Sequence, residues 1–122
     1  MEIAYWIVAG LLAAFYVYAG GKKIAQSQEA LAPMMAWAGT AVPMAGVRAI
    51  GGLELLGAAG LILPPLTGVA PVLAMCAAGG LTVLQVLATG FHVNRGEIKD
   101  VWLNLVLLAW AAATVWLATA FL

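Results

Sequence analysis

This sequence predicts an all-α fold, an integral-membrane antiparallel four-helix bundle with a short interfacial segment between helices 1 and 2, on three observations. Of its 122 residues 66% are hydrophobic and only 8% charged, more apolar surface than a soluble domain of this size can hide. Four stretches approach or exceed the roughly 20 apolar residues that cross a hydrocarbon core about 30 Å thick. They run from Ile3 to Gly21, Val47 to Leu63, Val69 to Phe91 and Val101 to Leu122, one domain over residues 1–122. Finally, every Lys and Arg (Lys22, Lys23, Arg48, Arg95, Lys99) lies beside the first or the last of the connections between them. Each crossing is expected to be helical, because an open strand in lipid leaves its backbone polar groups without partners.

The first span opens on Met1-Glu2 rather than a basic segment, and Gly21-Lys22-Lys23 does not resemble a small-residue cleavage site, so the span is expected to be retained. In the connection Lys22 to Gly46, Ser27 followed by Glu29 and an apolar stretch predicts a short helix that Pro33 interrupts. Trp37 and two methionines there suit the headgroup boundary, which makes this the interfacial segment. The second span is the shortest, about 25 Å, and is expected upright or partly shielded; the third, about 34 Å, has length to tilt. Between them "PPLTG" reads as a stop at Pro64 and Pro65 and a turn at Gly68, so these spans are antiparallel neighbours. "NRGEIKD" joins the third and fourth in the same manner. Tyr5, Trp6, Trp102 and Trp116, near span ends, fit aromatic belts or packing positions.

The cations place the first and last connections on one side of the membrane. The positive-inside bias makes that side cytoplasmic, with both termini and "PPLTG" outside a cell inner membrane.

Glu54 stands within the second span. Its same-face neighbours are Ile50, Gly51, Gly57 and Ala58, mostly small, while Leu53, Leu56 and Leu63 sit at other angles and are expected to meet acyl chains. A central acid costs about 3 kcal/mol on an insertion scale, so Glu54 is expected to turn inward to a partner. Tyr16, Gly20 and Lys23 form one stripe on the first span, and Ala78, Thr82, Gln85, Thr89 and His92 another on the third; the fourth adds Asn104 and Asp100. The expected intramembrane polar site is Glu54, Lys23, His92, Arg48, Gln85 and Tyr16, with Lys23 or Arg48 beside the Glu54 anion and His92 toward the cytoplasm. The bland alternatives stand beside it: Gln85, Thr89 and Asn104 as interhelical glue, the cations as topology signals, Glu54 as half of a structural ion pair, His92 as a capping residue.

Composition excludes several activities. Zero net charge suggests no nucleic-acid partner. One histidine does not supply bis-histidine haem ligation, and one cysteine, Cys76, holds no iron–sulfur cluster and performs no dithiol exchange; Cys76 reads as a small packing residue. No metal set, nucleophile–base pair or phosphate-cradling loop is found, and no catalytic residue is assigned. A quinone or similar lipid-soluble molecule needs only an apolar slot and two or three polar groups.

The same residues carry a resemblance. "YVYAGGKKI", Tyr16 to Ile24, resembles the aromatic-x-x-x-Gly-x-x-Lys end of the first helix in the DoxX-like family of small four-helix membrane proteins. "IGGLELLGAAGLILPP" is similar to its Gly-x-x-Glu second helix with terminal proline, and "FHVNRGE" to its His-x-x-Arg-Gly-Glu ending of the third. The resemblance covers nearly the whole chain and places Lys23, Glu54 and His92 on family positions, while the doubled Lys22-Lys23 leaves open which lysine turns inward. It implies an accessory membrane subunit that binds quinone or another amphiphile beside a redox complex, the family's name deriving from a subunit associated with thiosulfate:quinone oxidoreduction. The alternative is a non-enzymatic scaffold or assembly factor. Expected partners are the lipid bilayer and a larger membrane protein complex or further copies of the chain.

Overall fold

The computed structural model covers all 122 residues. It contains α1 (Glu2–Ala25), α2 (Gln28–Leu31), α3 (Met44–Thr67), α4 (Val72–Arg95), α5 (Ile98–Leu117) and a closing 3-10 turn, Ala118–Phe121. Each of α1, α3 and α4 has 24 residues, about 36 Å at 1.5 Å per residue, long enough to cross a hydrocarbon core. The long helices form a ring in which α1 packs on α3, α3 on α4, α4 on α5, and α5 more lightly on α1. Tyr5 near the start of α1 meets Leu61 late in α3, whereas Lys23 at the end of α1 meets Glu54 in the first half of α3, so these neighbours are antiparallel.

Many of the buried residues are small, while much of the exposed surface is large and apolar. Ala9, Ala13, Ala58, Ala74, Ala78 and Ala111 lie inside, while Ile3, Leu56, Leu87, Trp102 and Trp116 are more than half exposed. Leu53 and Leu63 face outward with Leu56, as their angles on the helix require. This polarity suits a solvent of lipid tails, where small residues let backbones approach. The chain is a multi-pass membrane protein.

The packed interior has three layers. At the end holding both termini Tyr5 contacts Ala74, Leu117 and Ala118 and meets Phe121 edge to face. Leu12, Tyr16, Leu61, Leu81 and Leu107 fill the middle. At the other end Leu31, Trp37, Ala38 and Val47 form a separate cluster beneath the α1–α3 connection.

Helix ends follow local chemistry with some departures from the sequence reading. The Ser27 hydroxyl accepts from the Ala30 N–H at 3.2 Å and starts α2, as expected. Gly68 and Gly96 adopt left-handed conformations, φ 74° and 71°, and end α3 and α4. Pro64 and Pro65, however, do not stop α3, which continues to Thr67. Their φ suits a helix; what proline removes is an N–H, and the Tyr5 hydroxyl fills that lack at the Leu61 carbonyl. The helix α4 starts at Val72 rather than 69, because the turn at Gly68 extends through Ala70, φ 46°. Trp37, in the connection between α1 and α3, is buried against the bundle, edge-on to Phe91 and His92. Tyr5 is likewise a packing residue, whereas Trp102 and Trp116 face outward. Cys76 is exposed, not packed, because Ala74 and Ala78 take the inner face and position 76 falls opposite.

Candidate functional site

The site begins at a glycine crossing. A Cβ on Gly20 would lie 2.8 Å from the Gly51 carbonyl oxygen, and one on Gly51 2.8 Å from the Gly20 oxygen, so only glycines allow α1 and α3 this close. The helices run oppositely, so the stem of Lys23 passes over Gly51 and that of Glu54 over Gly20. Their charged ends meet at 2.6 Å, Lys23 Nζ to Glu54 Oε1, with the residues 7% and 3% exposed. Glu54 thus faces its sister helices and has a donor there. The structure also resolves the doubled lysine: Lys23 turns inward, while the Lys22 ammonium lies near the Tyr18 hydroxyl and Met34 sulfur on the exposed side.

One turn before Gly20, the buried Tyr16 hydroxyl accepts from Gln85 Nε2 at 2.7 Å, a bond that ties α1 to α4 across the bundle. Gln85 Oε1 is then left buried without a partner, as is Asn104 Nδ2 on α5. Unpaired polar atoms inside a membrane bundle are costly, so these two mark places where something polar fits. By contrast, Thr82 and Thr89 satisfy themselves on the carbonyls of Ala78 and Gln85 in their own helix.

His92 ends the polar stripe of α4. Its Nδ1 donates to Glu97 Oε1 at 2.9 Å, Arg95 Nε donates to the same oxygen at 2.9 Å, and Asp100 Oδ2 lies 3.9 Å from the imidazole. His92 donation, with Arg95 beside it, holds the Glu97 carboxyl below its ordinary range. Ligand atoms of His92, Glu97 and Asp100 lie within 4.8 Å of one another, but Glu97 is already engaged by His92 and by Arg95.

Lys23, Glu54, Gln85 and His92 line one cavity of about 590 Å³, joined by Asn104 and roofed by Trp37. The rest of its wall is mainly apolar, and it includes the exposed Tyr18, Leu53, Leu87 and Leu103, so the cavity is not sealed within the bundle. Tyr16 stands behind the wall and holds Gln85. Arg48 departs from its expected place. Its Nη1 donates at 2.6 Å to both the Lys23 and Gln26 carbonyls, satisfying the open end of α1 instead of reaching Glu54.

Three contributors escaped the sequence-based site set. Glu97 engages His92 from five residues on, across the Gly96 turn, and was visible only as the Glu of "HVNRGE". Asn104 was legible as a polar residue one helical turn from Asp100, without a sign that it would lack a partner. For the burial of Trp37 no local signal existed.

The family whose sequence pattern matches is described as the DoxX-like family, over residues 7–114 of the chain. No curated protein and no solved structure matches it.

Proposed function

Given that the chain belongs to the DoxX-like family, we propose that it is an accessory integral-membrane subunit that binds quinone or a similar amphiphile in its cavity and works beside a redox complex. One observation carries this reading: a mainly apolar cavity of about 590 Å³, lined in part by exposed apolar side chains, whose wall carries an ion pair and two buried, unpartnered amide atoms. That is the composition of a small-molecule site, apolar walls with a few convergent polar groups. A quinone headgroup fits the residues present, with Asn104 Nδ2 in the wall to donate to a carbonyl oxygen and Leu84 and Phe91 to flank it. Bound quinone supplies two-electron, two-proton redox chemistry. Glu54 is the proton-exchanging group, Lys23 steadies its anion, and His92 leads toward the water-exposed end. The membrane is the cell inner membrane. The cation-bearing end, with Lys22, Arg48, Arg95 and Lys99, faces the cytoplasm, and both termini face the other side.

Replacing Glu54 by Gln in the purified complex and measuring quinone-linked turnover tests the proton role. A large loss is expected; unchanged turnover discards it.

The runner-up is a non-enzymatic scaffold or assembly factor for a larger membrane complex or for further copies of the chain. The observation favouring it is that Lys23 and Glu54 clamp α1 to α3 directly over the Gly20–Gly51 crossing, where an ion pair also serves as glue. Native mass spectrometry of gently solubilised membranes separates the two. A redox enzyme as companion supports the first reading, and an unrelated large complex supports the second.

A further inference from the structure

Two side chains in the cavity wall have no counterpart in the rest of the molecule. Gln85 is 4% and Asn104 7% exposed, and each keeps a buried amide atom unbonded. Gln85 is fixed by Tyr16 at its Nε2 end, which leaves the acceptor Oε1 free; on α5, Asn104 keeps the donor Nδ2 free. One wants a donor and the other an acceptor, and both line the same space. The buried charges nearby are already spent on each other. Lys23 and Glu54 pair at 2.6 Å, His92 and Arg95 share Glu97, and Lys22 and Asp100 stand partly exposed at the rim with opposite signs.

We propose that Gln85 and Asn104 are the headgroup-reading residues of this cavity, and that they select an uncharged headgroup able both to donate and to accept a hydrogen bond. A hydroxyl meets both requirements. A ketone carbonyl accepts from Asn104 but leaves Gln85 Oε1 buried and unpaired, which costs free energy. A carboxylate brings a charge whose one unpaired counterpart in the wall, Lys22, stands at the partly exposed rim rather than beside the two amides, so seating it there leaves an anion buried without a cation. Within a quinone-type amphiphile the reduced, hydroxyl-bearing form is therefore the preferred occupant. This inference rests on the amphiphile-binding reading above and adds to it which oxidation state and which residues define the fit.

The test is equilibrium binding to the full chain in nanodiscs, read by quenching of tryptophan fluorescence, with Trp37→Phe as the control for the tryptophan that lines the cavity. The probes are decylubiquinol, held reduced, decylubiquinone and decanoate. The expected result is that the quinol binds at least tenfold more tightly than the quinone, that decanoate does not compete, and that Gln85→Leu or Asn104→Leu abolishes the preference. Equal or tighter binding of the quinone, or competition by decanoate, overturns the selectivity while leaving amphiphile binding standing. Failure of every probe to bind overturns both readings. Should a leucine variant fail to fold, the quinol-to-quinone comparison on the unaltered chain still decides.

Discussion

The Tyr5 hydroxyl donates to the Leu61 carbonyl oxygen at 2.5 Å, and that oxygen is the one Pro65, four residues on and lacking an N–H, has no means to bond. The donor comes from another helix, and both residues are fully buried. Pro65 inside α3 is thereby offset by a fixed tyrosine in α1. Tyr5→Phe is expected to destabilise the bundle by about 1–3 kcal/mol, the usual penalty for an orphaned buried acceptor. In a Pro65→Ala background the helix regains its own N–H and the same substitution is expected to cost little. A double-mutant cycle on detergent-solubilised protein measures the difference; a Tyr5→Phe cost that is the same in both backgrounds refutes the compensation.

The glycine crossing makes a prediction with built-in controls. Gly20→Ala and Gly51→Ala each push a Cβ to 2.8 Å from a backbone carbonyl, so α1 and α3 must separate. A loss of about 1–3 kcal/mol is expected from the overpacking, and the Lys23–Glu54 contact lengthens with it. Their sequence neighbours Gly21 and Gly52 have open space where a Cβ would go, so Gly21→Ala and Gly52→Ala are expected to be neutral or stabilising by up to about 1 kcal/mol through helix propensity. Thermal unfolding of the four variants in one detergent checks the contrast.

These two relationships also show which parts of the molecule were legible beforehand. That Glu54 faces inward followed from Gly51, Gly57 and Ala58 on its own face, because helical periodicity is a local property. Which of Lys22 and Lys23 pairs with it was not local: neighbouring positions point about 100° apart, and the choice depends on where α1 crosses α3. Arg48 was misplaced for a related reason. The carbonyls left open at the end of α1 are hydrogen-bond acceptors that a guanidinium satisfies without any anion, and only the tertiary arrangement brings those of Lys23 and Gln26 within its reach. The prolines misled because the rule for them is local and the tyrosine that offsets them lies in another helix.

The ion pair itself is open to a cycle. Lys23→Met leaves the Glu54 carboxyl buried without its cation, and Glu54→Leu leaves the ammonium, each expected to cost about 3–5 kcal/mol. The double variant removes both charges and is expected to recover most of that loss. If each single variant matches the unaltered chain in denaturant titration, the pair contributes nothing to the bundle. A double variant that folds and still joins the redox complex proposed above, but lacks quinone-linked turnover, assigns the pair a chemical role rather than a purely structural one.

At the turn between α4 and α5, the Glu97 carboxyl is held below its ordinary range, first by the His92 hydrogen bond and then by Arg95. A carboxyl that binds its proton less tightly in the folded state stabilises that state at pH above its unfolded pKa, and the contribution disappears as pH falls through the lowered folded pKa. Glu97→Gln is therefore expected to be less stable than the unaltered chain at neutral pH, by up to about 1 kcal/mol because the group is partly exposed, and the gap closes in acid. The loss is expected to be confined to the turn, since the Glu97 side chain hydrogen-bonds only to His92 and Arg95. Hydrogen exchange at Gly96 to Lys99, compared between the two proteins across that range, reads it directly; a gap that widens as pH falls contradicts the sign.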